Sequence, residues 1–220
     1  MLRFNHIAYR HGSEATLQDV DFRVSRGAYE GLIGPSGCGK TTLIKLITGL
    51  ERPANGSIEH DFQRLGIVCQ NDSLIEEISI LRNITFVCND SKVAERCLAL
   101  VGLGDLPLRT RAATLSKGMK KRVEIARALS VSPDFLVMDE PFSGLDHVAK
   151  YALIAQMKHF LEEIDTTFLY VTHDISEALL ICDHLTVLSA RPARVLERFE
   201  NIQRTDKRLL KQTIIKLLER

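Results

Sequence analysis

The chain has 220 residues, 45% of them apolar, which is enough for one large α/β domain or one domain with a small insertion. Lys plus Arg number 29 against 28 Asp plus Glu, a net charge of +1, so no broad field gathers nucleic acid or an anionic membrane. The five cysteines, Cys38, Cys69, Cys88, Cys97 and Cys182, form no C-x-x-C pair, which argues against a disulfide framework or a zinc site and suits a reducing cytosol. Met1–Arg10 holds no uninterrupted apolar core of a signal peptide, and no stretch reaches ~18 uncharged apolar residues, so membrane contact is expected to be peripheral.

Leu2–Tyr9 and Gln18–Val24 are β-rich and roughly alternating, which predicts a short antiparallel sheet closed by a turn at Ser25–Gly27. The apolar run Tyr29–Ile33 leads into Gly34, Pro35, Ser36, Gly37, Cys38, Gly39, Lys40, Thr41 and Thr42. These fit G-x-x-x-x-G-K-[ST], and Leu43–Leu50 then repeats at helical spacing. Glycines that bend a chain into a helix N-terminus present successive N–H groups to one concavity, so polyphosphate is the expected occupant. Lys40 would reach the outer phosphates and the Thr41 hydroxyl would ligate the accompanying Mg²⁺. Cys38 lies inside this loop, where a thiol reagent would block the site.

Arg52–Gly56 reads as a loop, and Ser57–Phe62 and Leu65–Cys69 as short strands ending at Gln70. From Asn71 to Thr114 the pattern turns helical, clearest over Lys92–Val101, as in an inserted helical subdomain. A helix is expected from Ser116 to about Leu129, stopped by Pro133. Phe135–Asp139 is a continuous apolar run closed by Asp139 and Glu140, the pattern of a strand buried on both faces of a parallel sheet. A carboxylate at such a strand end would hold Mg²⁺ through water or directly, and the next would deprotonate an attacking water. The alternative for two acids at a strand end is a solvated loop start. Helix (His147–Ile164), strand (Thr167–Val171), helix (Ile175–Cys182) and strand (Leu185–Ser189) then alternate, followed by an edge strand at Arg194–Phe199 and an amphipathic helix at Arg204–Arg220.

Alone, Ser116 is a helix N-cap, His173 a structural strand-end imidazole and Gln70 a surface amide. In order, the motifs say more. Gly34–Thr41, Gln70, Leu115–Met119, Phe135–Glu140, Ser143–Asp146 and His173 together resemble the ATP-binding-cassette family over nearly the whole chain. The resemblance implies a P-loop NTPase core of mostly parallel sheet, an N-terminal antiparallel β subdomain and an inserted helical subdomain. It places residues 1–70 and 131–200 in the catalytic core, 71–130 in the helical subdomain with the signature, and 201–220 in a C-terminal helix.

That family's mechanism implies a head-to-tail homodimer, or a paired cassette subunit, with Mg²⁺ and ATP between the P-loop of one copy and the signature of the other. Ser116 and Gly118 would act in trans on the γ-phosphate, Asp146 would sit at the dimer seam, and Gln70 would link metal and water to the permease-docking subdomain. Glu140 would be the base, Lys40 and His173 would meet the γ-phosphate, and Thr41, Gln70 and Asp139 would serve the metal. The adenine-stacking aromatic falls on His11, with Tyr9 as the alternative.

Two positions depart from the family. Lys117 stands where the signature usually has Gly, either hindering close approach of the backbone or attracting phosphate. Met119 with Lys120, Lys121 and Arg122, and the stretches Val171–Leu180 and Asp183–Val195, resemble importers of the nitrate, taurine and sulfonate type. Between Lys40 and Leu115 there is no room for the long coiled coil of the DNA-repair relatives, and no nucleic-acid partner is expected. The expected role is energy coupling on the cytoplasmic face of the membrane, with a permease docked near residues 73–86 and a solute-binding protein acting indirectly. Leu74, Ile75, Ile78 and Ile80 either line that groove or pack the subdomain. A low-turnover, ATP-gated scaffold is the alternative.

Overall fold

The computed structural model describes residues 1–143, 147–164 and 166–219. In chain order the described elements are β1 (Leu2–His11), β2 (Glu14–Val24), β3 (Tyr29–Ile33), α1 (Lys40–Ile47), β4 (Asn55–His60), β5 (Leu65–Val68), α2 (Ile80–Cys88), α3 (Ser91–Leu100), α4 (Lys117–Ser130), β6 (Phe135–Asp139), α5 (His147–Glu163), β7 (Thr167–Thr172), α6 (Ile175–Ile181), β8 (His184–Leu188), β9 (Val195–Phe199) and α7 (Lys207–Leu218). This mixed α/β architecture, part antiparallel and part parallel, is the fold class expected from the sequence. The chain divides into two compact units, Met1–Phe62 with Thr167–Arg220, and Gln63–Thr166.

In the first unit, β1 pairs antiparallel with both β2 and β4. The alternation seen in the sequence becomes one buried face, where Phe4 and Phe22 are cross-strand partners stacked at 4.6 Å. Two strand starts in this sheet differ from expectation. β2 starts at Glu14, because a two-residue turn at Gly12–Ser13 lets His11 pair directly with Glu14. β4 starts at Asn55 inside the expected loop, since Gly56 at φ +87° runs so close to β1 that a Cβ would lie 2.3 Å from the Asn5 carbonyl oxygen.

The same unit holds the strand order β7-β3-β8-β9, with β3 parallel to β7 and β8, and β9 antiparallel to β8. β7 is buried along its whole length. Glu30 sits fully buried in β3, where Thr186 Oγ1 donates to it at 2.7 Å and Arg198 Nη2 at 3.0 Å. A buried carboxylate needs such hydrogen-bond partners to offset its desolvation.

The second unit pairs β5 with β6 in parallel, Leu65 opposite Phe135 and Val68 opposite Met138. The Asp134 carboxylate accepts from the Gln63 and Arg64 amides and so fixes the start of that pair. Side chains cap three of its helices: Ser79 on α2, Asp90 on α3 and Ser116 on α4. Asn83, buried in α2, holds the preceding loop through Ile75 N, Ile75 O and Ser79 O. Ile80 is fully buried in the subdomain core, so it packs rather than lining a groove, whereas Ile75, Phe86 and Val87 are exposed. Among the described residues no helix is long and apolar enough to cross a membrane.

Candidate functional site

The first unit carries the phosphate loop. β3 delivers Gly34, where a Cβ would lie 2.9 Å from Cys38 Sγ and 3.1 Å from Leu188 Cβ, so no larger residue fits. Gly39 turns the chain into α1 at φ +124°, a conformation L side chains rarely adopt. Pro35 and Thr42 are half-buried, whereas Ser36, Gly37 and Thr41 are exposed. Lys40 opens α1 with its stem buried, and its ammonium donates to Gly34 O at 2.8 Å and Pro35 O at 3.0 Å. The loop carbonyls thus hold a cation beside the loop's own backbone, where polyphosphate needs one.

Cys38 corrects one expectation. Its thiol is buried, and burial pushes its pKa up despite the nearby Lys40 ammonium, so it stays protonated and shielded from thiol reagents.

His173 belongs to the same unit. Ile33 of β3 faces Thr172 of β7, so Gly34 and His173 leave neighbouring strands at the same sheet edge. The backbone around this exposed imidazole is pinned from both sides. Thr172 Oγ1 accepts from Asp174 N at 3.0 Å and donates to Glu177 Oε2 at 3.3 Å, while Asp174 caps α6 and Tyr170 donates to Glu177 at 2.5 Å. Glu177 was not legible as a site residue; its one signal is a carboxylate on the buried face of a helix four residues after His173. Of the two stacking candidates, Tyr9 is buried in the β1 core and His11 is exposed at the hairpin end.

The second unit carries the acidic strand end and the signature. Asp139 closes β6 nearly buried, and Glu140 follows at φ +46°. Such a backbone conformation costs a non-glycine residue roughly 1–3 kcal/mol and persists where the surroundings impose it. Pro141 and Phe142 are buried behind it, and Ser143 N donates to Glu140 O at 3.1 Å. Because Val68 lies opposite Met138, the residues two beyond this pair meet: Gln70 Nε2 donates to Glu140 Oε2 at 3.2 Å. The structure therefore brings together two of the residues singled out in the sequence.

Ser116 Oγ accepts from Met119 N at 3.3 Å as the N-cap of α4, Lys117 is the exposed first residue of the helix, and Gly118 is half-buried. Asp146 lies outside the described residues. Among the described residues no group of three or more His, Cys, Asp or Glu is placed to hold a metal. The donors expected for Mg²⁺ are instead a hydroxyl at Thr41, an amide oxygen at Gln70 and a carboxylate at Asp139. Each is a hard oxygen of the kind Mg²⁺ takes.

The ABC transporter family model matches residues 17–143. The chain is 36% identical over 202 residues to the nitrate import ATP-binding protein NrtD of Synechococcus elongatus, spanning 84% of this chain and 73% of that protein. It is 34% identical over 213 residues to the taurine import ATP-binding protein TauB of Shigella flexneri, spanning 90% and 83%. Against the nitrate import ATP-binding protein NrtC of a Synechocystis strain the identity is 35%, but the match spans only 29% of that longer protein. Among solved structures, the dimeric structure of a bacterial ABC transporter cassette superposes with a TM-score of 0.82 at 25% identity, covering 91% of this chain and 98% of that one. An ATP-binding subunit of an ABC transporter gives 0.83 at 26%, covering 99% of both chains.

Proposed function

The chain belongs to the ABC transporter family, as one of its ATP-binding, ATPase-class subunits, and on that footing we propose that it powers an importer of small anionic or organic solutes. It does so by binding Mg²⁺ and ATP, closing head to tail with a second copy or a paired cassette, and hydrolysing the nucleotide against a separate permease. The observation that carries this reading is Glu140, set at a disfavoured backbone angle at the end of β6 with the Gln70 amide on its carboxylate. That is the placement a general base needs: fixed, hydrogen-bonded and beside a group able to orient water.

In the proposed reaction the water oxygen attacks the γ-phosphorus, the bond to the β–γ bridging oxygen breaks, and Glu140 takes the water proton. Lys40 neutralises charge on the outer phosphates, held in place by Gly34 O and Pro35 O. Thr41 and Asp139 would hold Mg²⁺, which would supply neutralisation of the charge that builds on the transferring phosphate. Gln70 orients the water, His173 grips the γ-phosphate, and Ser116 and Gly118 of the partner subunit complete the shell. Asp146 couples the two sites, and His11 stacks on adenine less strongly than a tyrosine would.

The proposed division of labour is residues 1–70 and 131–200 for catalysis, 71–130 for signature and permease docking, and 201–220 as a C-terminal helix. Exposed Ile75 and Phe86, at the surface of the 73–86 stretch, are the apolar contacts offered to the permease. The subunit then works at the cytoplasmic face of the membrane, with a solute-binding protein reached only through the permease. Steady-state phosphate release by the purified chain, with ATP and Mg²⁺, tests the reading; no release above buffer at concentrations that dimerise would overturn it.

A further inference from the structure

We propose that Lys121 and Glu124 of α4 are positioning residues for Gln70, tying the signature helix to the residue beside the base. The proposal rests on the ATPase reading above.

The Lys121 side chain is 2% exposed and that of Glu124 is 0% exposed, and their charged groups meet at 2.7 Å. The same ammonium donates to Cys69 O at 2.8 Å and Gln70 O at 3.3 Å, the two carbonyls at the end of β5. The second oxygen of Glu124 accepts from Ser73 N and from Ser73 Oγ. Arg127, one turn further along α4, donates to Ser73 O at 3.0 Å and Ser73 Oγ at 2.5 Å. Three side chains on two successive turns of one helix thus grip both ends of the five-residue segment whose second member is Gln70.

A buried ion pair is a weak source of stability, because desolvation offsets most of its attraction and apolar packing would serve as well. What it supplies is direction. Three donors with fixed acceptors set the Gln70 backbone to within the tolerance of a hydrogen bond, and the Gln70 amide then reaches Glu140. Ser116 caps the start of α4, so a displacement of the signature end of this helix moves the Lys121 ammonium, and with it the Gln70 carbonyl.

The test removes both charges together. Lys121→Met with Glu124→Gln leaves no unpaired buried charge and keeps an acceptor for Ser73. Phosphate release by the purified chain with ATP and Mg²⁺ is expected to show kcat lower by roughly three- to tenfold, no more than loss of the Gln70 amide itself would cost, with KM for ATP within about twofold. In a Gln70→Ala background the same pair of changes should have no further effect, and amide exchange over residues 69–73 should accelerate. A loss that multiplies equally in both backgrounds, or no loss at all, overturns the proposal. If the neutral variant does not fold, Lys121→Arg keeps the charge pair but alters donor geometry, and must show the same Gln70-dependent fall. A native chain without phosphate release would instead refute the ATPase reading, while exchange over 69–73 still reports on the clamp.

Discussion

Gln70 Nε2 donates to Glu140 Oε2 across 3.2 Å, joining the end of β5 to the end of β6 at the point where the register of the two strands brings them level. Gln70→Ala removes this donor from the Glu140 carboxylate. The expected result is a kcat roughly tenfold lower, consistent with losing one hydrogen bond to a charged group, with ATP affinity unchanged. Single-turnover phosphate release alongside nucleotide titration checks both halves.

Lys117, exposed at the first position of α4, places a cation where a helix ordinarily favours an anion, so it adds attraction for a phosphate approaching that end. Lys117→Gly should weaken ATP-driven dimerisation roughly two- to fivefold at low salt, and less at high salt. Sedimentation with ATP at two ionic strengths reads the effect. An unchanged dimer constant would show that the position has no special role.

Cys38 should resist alkylation. Its folded thiol has a pKa raised by burial, so the thiolate is scarce throughout the neutral range and appears only as pH climbs past the ordinary thiol value. At pH 7–8, N-ethylmaleimide should leave ATP binding intact. Mass spectrometry that finds Cys38 modified at the rate of a free thiol would contradict the burial described here.

Much of the site was readable because its signals are local. An apolar run, glycines and a lysine announce the phosphate loop, and a buried run ending in two acids announces Asp139 and Glu140. Other features depend on what comes near in space. Glu140's left-handed backbone is a cost its tertiary surroundings impose, so its residue type gives no hint of it. Lys121 and Glu124 are charged residues, a type that ordinarily takes the solvated face of a helix, yet both are buried, because the loop after β5 brings carbonyls and an amide to meet them. Gly56 looked like a turn because its role in β4 is to let the β1 backbone pass close by.

The acid limb of stability has an identifiable contributor in Asp134. Burial alone would raise its carboxyl, but the Gln63 and Arg64 amides outweigh that, and its folded pKa is lowered below the usual aspartate value. A depressed carboxyl contributes stability above its unfolded pKa and loses it as pH falls through the folded pKa, so the loss belongs below about pH 4. Asp134→Asn should be less stable than the native chain at pH 7, with the difference shrinking in that acid range. Thermal melts between pH 7 and pH 3 would show it.

The most direct measurement pairs Glu140→Gln with the native chain, following phosphate release and size-exclusion behaviour with ATP and Mg²⁺. Native protein should turn over and the variant should slow by roughly 10²–10⁴-fold. The variant should still bind ATP and run as a stable dimer of the 24.7 kDa chain, trapped before hydrolysis. A variant that releases phosphate at the native rate would contradict Glu140 as the base.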